Sequence, residues 1–400
     1  MAPSKQIRTK AAYMAILLLG IVSLMGDLVY EGSRGIIPDY LNFLGTPALI
    51  VGLVTGLGEF LGYAMRLVSG ILADTTKAYW FLIFAGYGLI IAVPLMAFSW
   101  GWQAVALLVL VERFGKALRS PSRDTVLSVV SKGIGSGKAF GIHEFLDQIG
   151  AIIGPSIVVA LMLYTKNDYS NVFKFMIIPY FVMLLALSYT YKSIRGQTYA
   201  ETRVEGKQGL TKSFYIYTVA VTLNTIGLIH ISLILFKASE ILQPIHQQWI
   251  VPALFLIVQG VDAPIALISG YFYDKSGVKV LLIPFILSTL PPILALLSDQ
   301  LLMLIAASIC FGLVLGMQES IYRAAVADLT PLNSRGKAYG LFNTAYGLGF
   351  LASGTIYGSF IDYRIPIIAV AGFALLTQTV AIFLLLKVKK SMTKVQEPYA

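Results

Sequence analysis

A short pattern occurs twice in this chain, 200 residues apart. Gly70-x-x-x-Asp74 closes one apolar run, and Gly270-x-x-x-Asp274-Lys275-x-Gly277-x-Lys279 closes another. A second pair repeats the offset within one residue: Gly137-Lys138-x-x-Gly141 returns as Gly336-Lys337-x-x-Gly340. Two independent matches at nearly one spacing mean a duplicated architecture. The runs between them are long and continuously apolar, so the duplicated unit is a bundle of membrane helices.

Composition leaves little alternative. Of the 400 residues 57% are hydrophobic and only 12% charged, with a mean hydropathy of +0.78. Soluble domains carry about 25% charged residues. Water could not solvate such a surface, and only helices or closed barrels satisfy their backbone inside lipid. Barrel strands alternate over short stretches, which these runs do not. The fold class is therefore an all-α integral membrane protein. The net charge of +10 does not point to nucleic acid, because Lys and Arg concentrate in alternate loops. The one cysteine, Cys310, excludes an internal disulfide. The basic start (Lys5, Arg8, Lys10) leads into a long apolar run with no small-residue cleavage site, which reads as a retained first helix.

A crossing needs about 20 apolar residues. Twelve such spans are expected, at 14–40, 47–72, 79–99, 104–127, 139–164, 172–191, 213–238, 248–271, 278–297, 300–325, 337–360 and 366–387. The polar stretch 192–212 divides them into an N-terminal six-helix bundle (1–191) and a C-terminal one (213–400). It contains Lys192, Arg195, Arg203, Lys207 and Lys212, which predicts a cytoplasmic linker. Both termini then lie in the cytoplasm, and the protein is a multi-pass component of the cell membrane. Internal repeats of membrane helices are the usual plan of a secondary transporter.

The loop pattern after spans 2 and 8 resembles a signature of the major facilitator superfamily, and the resemblance covers the whole chain. The first copy lacks the usual Arg and second Gly; the second is nearly complete. The resemblance implies two pseudo-symmetric six-helix bundles and a gating role for Gly70, Asp74, Gly270 and Asp274. Asp74 would pair with Arg119 or Arg123, and Asp274 with Arg323, in one conformation only. Span 5 carries Gly141, Gly150 and Gly154-Pro155, similar to a motif of drug:proton antiporters, with Val158 and Val159 in place of its trailing glycines. Those glycines are expected to pack tightly against the partner half. The fourth span, from Glu112 to Asp124, is similar to a basic motif of the same exporters. Arg113 would lie about 13 Å deep, near the midplane.

Ionisable residues at such depth are functional candidates by default. Proton coupling is assigned to Asp27, Glu31, Glu59 and Arg113. Asp27 and Glu31 are four apart, hence on one helix face, where two like charges repel and a proton relieves them. Tyr30, Tyr63, Asn224, His230, Gln259 and Asp147 are expected to line the substrate cavity. His143 and Asp147 share a face of span 5.

The expectation is a secondary active transporter, a proton-coupled exporter of small organic, drug-like compounds working by alternating access. Divalent metal efflux and an organic anion or sugar carrier using Arg113 and Arg34 are the other transport readings. No nucleophile elbow, phosphate loop or zinc motif marks an enzyme. No bound cofactor or metal is implied. The partners are protons, a small-molecule substrate and the lipid bilayer, and the carrier is a monomer.

Overall fold

The computed structural model describes residues 5–131, 134–195, 209–331 and 334–396. Helix makes up 89% of it, and no strand occurs among the described residues. Most of the 192–212 connection lies outside those residues.

The order of elements follows the twelve expected spans. α1 (Lys5–Arg34) and α2 (Ile37–Phe43) fill the first and α3 (Ala48–Thr76) the second. The third is broken into α4 (Tyr79–Gly88) and α5 (Ala92–Leu95) by short 3₁₀ turns. The fourth and fifth are α6 (Trp102–Val130) and α7 (Ser136–Tyr164), and the sixth is α8 (Tyr169–Phe175) with α9 (Ile177–Ile194). The second half begins with α10 (Lys212–Gly227) and α11 (Ile231–Leu242), then α12 (Ile250–Ser276), α13 (Leu282–Leu287) and α14 (Leu290–Leu297). α15 (Leu301–Met317) and α16 (Arg323–Leu329) are joined by a π-helical turn, and α17 (Arg335–Asp362) and α18 (Ile367–Gln396) complete the chain. Ten of these crossings are long and apolar enough to span a bilayer. α6 and α17 equal them in length at 29 and 28 residues; α6 carries Glu112, Arg113, Lys116 and Arg119 along its middle.

The chain packs into two compact units. One comprises Met1–Ile37 with Met65–Arg203, the other Pro38–Ala64 with Val204–Ala400. α2 and the first part of α3 thus pack with the later half of the sequence. The reason is close backbone contact. The Asp362 carboxylate at the end of α17 accepts from the Ala48 and Leu49 amides at 2.9 Å each, and so satisfies two of the amides at the start of α3. Gly52 then meets Gly354 backbone to backbone, and a Cβ on Gly56 would come within 2.8 Å of the Phe350 carbonyl oxygen. Small residues permit such approach, which is how helices associate when lipid removes the hydrophobic drive between them.

In the first unit α1 packs on α7, α9 and α6, and α4 packs on α6. α6 contains Pro121, whose missing N–H leaves the Ala117 carbonyl without its helical partner. The Ser69 hydroxyl of α3 donates to that carbonyl at 2.7 Å. A Cβ on Gly70, the next residue, would lie in ordinary contact with the Pro121 ring. The first copy of the repeated signature therefore docks on the proline-broken turn of α6.

In the second unit α12 packs on α15, and α10 on α17 and α18. Its core is aromatic, built on Phe214, Tyr217, Phe285, Tyr322 and Phe342, each at most 2% exposed.

Candidate functional site

The first unit holds a buried network of charges. α1 contributes Ser23, Asp27, Tyr30, Glu31 and Arg34, spaced so that they share a face. α7 reaches that face because Gly150 and Gly154 carry no side chain. A Cβ on Gly150 would sit 2.5 Å from the Leu24 carbonyl oxygen and 2.9 Å from Asp27 Cβ; one on Gly154 would sit 2.6 Å from the Leu28 carbonyl oxygen. Gly150 and Gly154 of span 5 therefore pack on α1 of their own unit. A Cβ on Gly141 would meet nothing within 4 Å, so this glycine takes no part in that contact.

α6 supplies the cations. Glu31 accepts from Arg34 Nη1 at 2.9 and 3.1 Å and lies 3.6 Å from Lys116 Nζ. Lys116 stands 4.4 Å above the Tyr30 ring, and the Arg119 guanidinium lies 5.0 Å from both the Tyr30 and Tyr87 rings. Arg123 donates to Ser23 Oγ at 2.9 Å and to Asp124 at 3.0 and 3.1 Å, and lies 3.6 Å from Asp147. Ser23 Oγ also meets Tyr87 OH at 2.9 Å and His143 Nε2 at 3.1 Å, and His143 Nδ1 lies 3.4 Å from Asp147 Oδ2. Arg113 Nε is 3.5 Å from Glu112. Asp27, 7% exposed, is held among Asp147, Lys116 and Glu31. Arg119 Nη1 and Asp147 Oδ1 are buried with no hydrogen-bond partner among the described residues. Charges this deep are expensive unless paired, so nearly every cation here lies against a carboxylate or a ring.

The second unit has a buried network without formal charge. Asn224 Nδ2 donates to Gln378 at 2.8 Å, and Gln378 donates back to the Asn224 carbonyl at 2.9 Å. Tyr322 OH donates to Asn224 Oδ1 at 2.7 Å, Gln318 to the same oxygen at 3.4 Å, and Tyr346 OH to Gln318 at 2.9 Å. Gln318 and Tyr322 bound the π-helical turn of the tenth span. π turns often mark functional positions because the extra residue redirects side chains. His230 caps α11 where the seventh span unwinds, accepting from the Ser232 amide at 3.3 Å, and its ring meets Phe350 edge-on at 5.7 Å. The Ser232 hydroxyl bonds Thr55 at 2.7 Å. Tyr63 packs on Tyr346 and Phe350.

The sequence-derived site residues thus divide. Asp27, Tyr30, Glu31, Arg113, Arg119, Arg123 and Asp147 gather in the first unit. Glu59 belongs to the second unit. Tyr63, Asn224, His230 and Gln259 are also in the second unit; Gln259 is buried on α12. Asp147, expected in a substrate cavity, is tied into the Arg123–His143 network. Around the repeated signature, Arg119 lies on tyrosine rings and Arg123 on Asp124 and Asp147, while Tyr79 OH donates to Asp74 at 3.4 Å. In the second copy Gly270 faces Ser320 of the π turn, Tyr273 OH donates to Asp328 at 2.9 Å, and the Arg323 carbonyl accepts from Tyr339 OH.

Sequence reasoning missed Lys116, Ser23, Tyr87 and Gln378. Lys116 was legible: it sits one turn from Glu112, Arg113 and Arg119 on the same α6 row. Gln378 is a lone amide in an apolar run, a weaker signal of the same kind. Ser23 and Tyr87 carry no local signal. Among the described residues no three His, Cys, Asp or Glu side chains are placed to hold a metal ion.

A duplicated bundle of membrane helices with buried charged residues is the architecture of a secondary transporter. A profile of the Major Facilitator Superfamily matches residues 214–399. An uncharacterised protein of Mycobacterium tuberculosis is 33% identical over 374 residues, 91% of each chain. An uncharacterised MFS-type transporter of Methanocaldococcus jannaschii is 26% identical over 350 residues, 86% of this chain and 87% of the other. Solved structures share the fold at low identity. A mutant of the peptide transporter POT superposes with a TM-score of 0.75 at 14% identity, covering 98% of this chain and 99% of that one. A mutant of the nucleoside transporter NupG gives 0.72 at 14%, covering 94% and 99%. Residues 214–399 thus carry a domain of the Major Facilitator Superfamily, a family of membrane transporters and not enzymes, and the chain as a whole has an MFS-type transporter homologue.

Proposed function

We propose that this protein is a proton-coupled secondary transporter of small organic compounds that works by alternating access. The observation that carries the reading is the network of Asp27, Glu31 and Asp147 with Lys116, Arg123 and Arg34. Carboxylates held by cations in a low-dielectric interior change partners when one is protonated, because neutralising one member leaves its cation uncompensated. Such a rearrangement biases a two-state protein, which is what coupling requires. The two six-helix halves, 1–191 and 213–400, rock about a site near the midplane, joined by the cytoplasmic linker 192–212. Both termini lie in the cytoplasm, and the carrier acts as a monomer in the cell membrane.

Gating falls to the repeated signature. Gly70 and Asp74, with Gly270 and Asp274, sit at matching helix ends. In the alternate state Arg123 leaves Asp147 for Asp74, and Arg323 engages Asp274. Neutral recognition falls to the second unit, where Asn224, His230 and Tyr63 offer amide, imidazole and ring surfaces.

Export by proton antiport is the reading favoured by the span-5 resemblance, with Gly150 and Gly154 seating α7 on the Asp27 face as its supporting observation. The test of coupling is a pH dye inside liposomes that hold the purified protein, with organic cations, organic anions and divalent metals added in turn. Substrate-evoked proton flux that disappears in Asp27→Asn supports the reading. Undiminished flux in that variant, with the protein folded, removes Asp27 from the mechanism.

A further inference from the structure

We propose that the corner of the second unit where α12 ends, α13 begins and α18 ends binds an anionic phospholipid. The lipid phosphate lies among Lys275, Lys279 and Lys387, and the acyl chains run along the apolar faces beside them. This site is separate from the charge network of the first unit. The three segments meet in one buried cluster, to which Tyr273, Leu281, Phe285 and Leu385 belong, each at most 4% exposed. Gly277, at φ +57°, turns the chain from α12 into the 3₁₀ segment Gly277–Leu281 that leads to α13. The outward side of the same segments is apolar and uncovered. Leu267 and Tyr271 of α12 are 79% and 58% exposed, and Ile286 of α13 and Phe383 of α18 are each 57% exposed. Apolar faces of this kind mark contact with lipid or with another protein.

At the end of each apolar row charge takes over. Leu267, Tyr271 and Lys275 are spaced by four, hence in one row along α12. Lys275 Nζ stands 4.4 Å from the Tyr271 ring centre, and Lys387 Nζ stands 4.3 Å from that of Phe383. Lys279 is exposed between them in sequence order. None of the three lysines forms an ion pair among the described residues. A long stem on an apolar face with its ammonium at the rim is how lysine meets a membrane boundary.

Charge complementarity selects the headgroup. No acidic residue occurs in 275–298 or 363–396, and α18 adds Lys389, Lys390 and Lys394 beyond Lys387. The acids beside the corner are Asp274 and Asp328, and Asp328 accepts from the hydroxyl of buried Tyr273 at 2.9 Å. The balance is therefore positive, and a headgroup with a net negative charge is attracted. A zwitterionic headgroup brings its own cation and gains little. The repeated turn does not itself require lysines. At the offset of 200, Lys275 corresponds to Thr75, Lys279 to Tyr79 and Tyr271 to Ile71. The basic corner belongs to the second copy alone, as a local surface and not as part of the duplicated turn.

The experiment reads bromine quenching of a tryptophan placed at the corner of the full-length protein in phosphatidylcholine liposomes. Ile283→Trp, at a side chain 48% exposed one turn after Lys279, is the reporter. Ile368→Trp, at a side chain 84% exposed near the start of α18 and about 28 Å along that helix from Lys387, is the comparison. The signal of the four native tryptophans is subtracted with the wild type. Dibrominated phosphatidylglycerol is expected to quench position 283 with an apparent affinity about tenfold above that of dibrominated phosphatidylcholine, and the two lipids should be equal at position 368. Lys275→Gln and Lys279→Gln should each lower the preference about threefold, Lys275→Arg should keep it, and about 0.5 M salt should weaken it in the unaltered site. Equal quenching by the two lipids at position 283 overturns the site. So does the same preference at position 368, which would come from the overall charge of the protein. Quenching by neither lipid at position 283 also overturns it, because a protein surface would then cover the corner. If a lysine variant does not fold, the salt dependence of the Ile283→Trp signal decides, and a preference that ignores salt removes the lysines from the binding.

Discussion

α6 and the α15–α16 crossing occupy equivalent places in the duplicated halves, yet they are built on different chemistry. At the offset set by Gly70 and Gly270, Glu112 corresponds to Gly312 and Lys116 to Gly316. The first unit fills this row with charged side chains that pair across to α1 and α7. The second unit empties it, and α12 closes in: a Cβ on Gly316 would lie 2.5 Å from the Asp262 carbonyl oxygen. Asp27 corresponds in the same way to Gly227, which packs on Thr377 and Gln378. Each unit also breaks this helix at the same level by its own means, Pro121 in α6 and the π turn Gln318–Tyr322 in the tenth span. In this row the first unit carries charge, and the second is closed by backbone packing.

The largest expected effect breaks the charged side. Asp27→Asn should lower substrate-evoked proton flux by about 100-fold or more, the scale on which removal of a proton-transfer group acts. Flux in liposomes measures it, and a variant that transports normally would locate coupling outside this network. Next comes the close-packed side. Gly52→Val forces a branched side chain onto the Gly354 backbone and should destabilise the protein by about 3 kcal/mol, visible as a lower melting temperature in detergent. Gly62→Val, with nothing within 4 Å of its Cβ, is the control and should change little.

The neutral network sharpens the contrast at smaller scale. Asn224→Leu leaves Tyr322 and Gln378 without a buried partner and should cost about 2 kcal/mol of stability, while the acid dependence of transport is retained. A shift in that dependence would extend proton chemistry into the second unit. The smallest effect is expected at Gly141. Gly141→Ala lies in a helix with open space around the new methyl group and should be neutral or stabilise by up to about 1 kcal/mol. A melting temperature that falls would give this glycine a packing role absent from the present conformation.

Much of the site could be read along the chain, because helical spacing is local. Asp27 with Glu31, and His143 with Asp147, each stand one turn apart on a face, and both pairs join the buried network. Span 2 shows where that reasoning ends. α3 divides between the two units, and its first part, with Glu59, follows α17 through Gly52, Gly56 and Asp362. Nothing within span 2 encodes that division, since the contact is with residues some 300 positions away.

The amino-acid sequence alone determined that this is a helical membrane protein in two related halves, because apolar run length and repeat spacing are one-dimensional properties that lipid translates directly into crossings. Only the tertiary structure decided which charges meet. Lys116 reaches Glu31, and Arg123 reaches Ser23 and Asp147, because Gly150, Gly154, Gly86 and Gly115 let the helices close to backbone contact. Pairing of buried charges depends on separations of a few ångströms between helices distant in sequence, and those separations are set by packing.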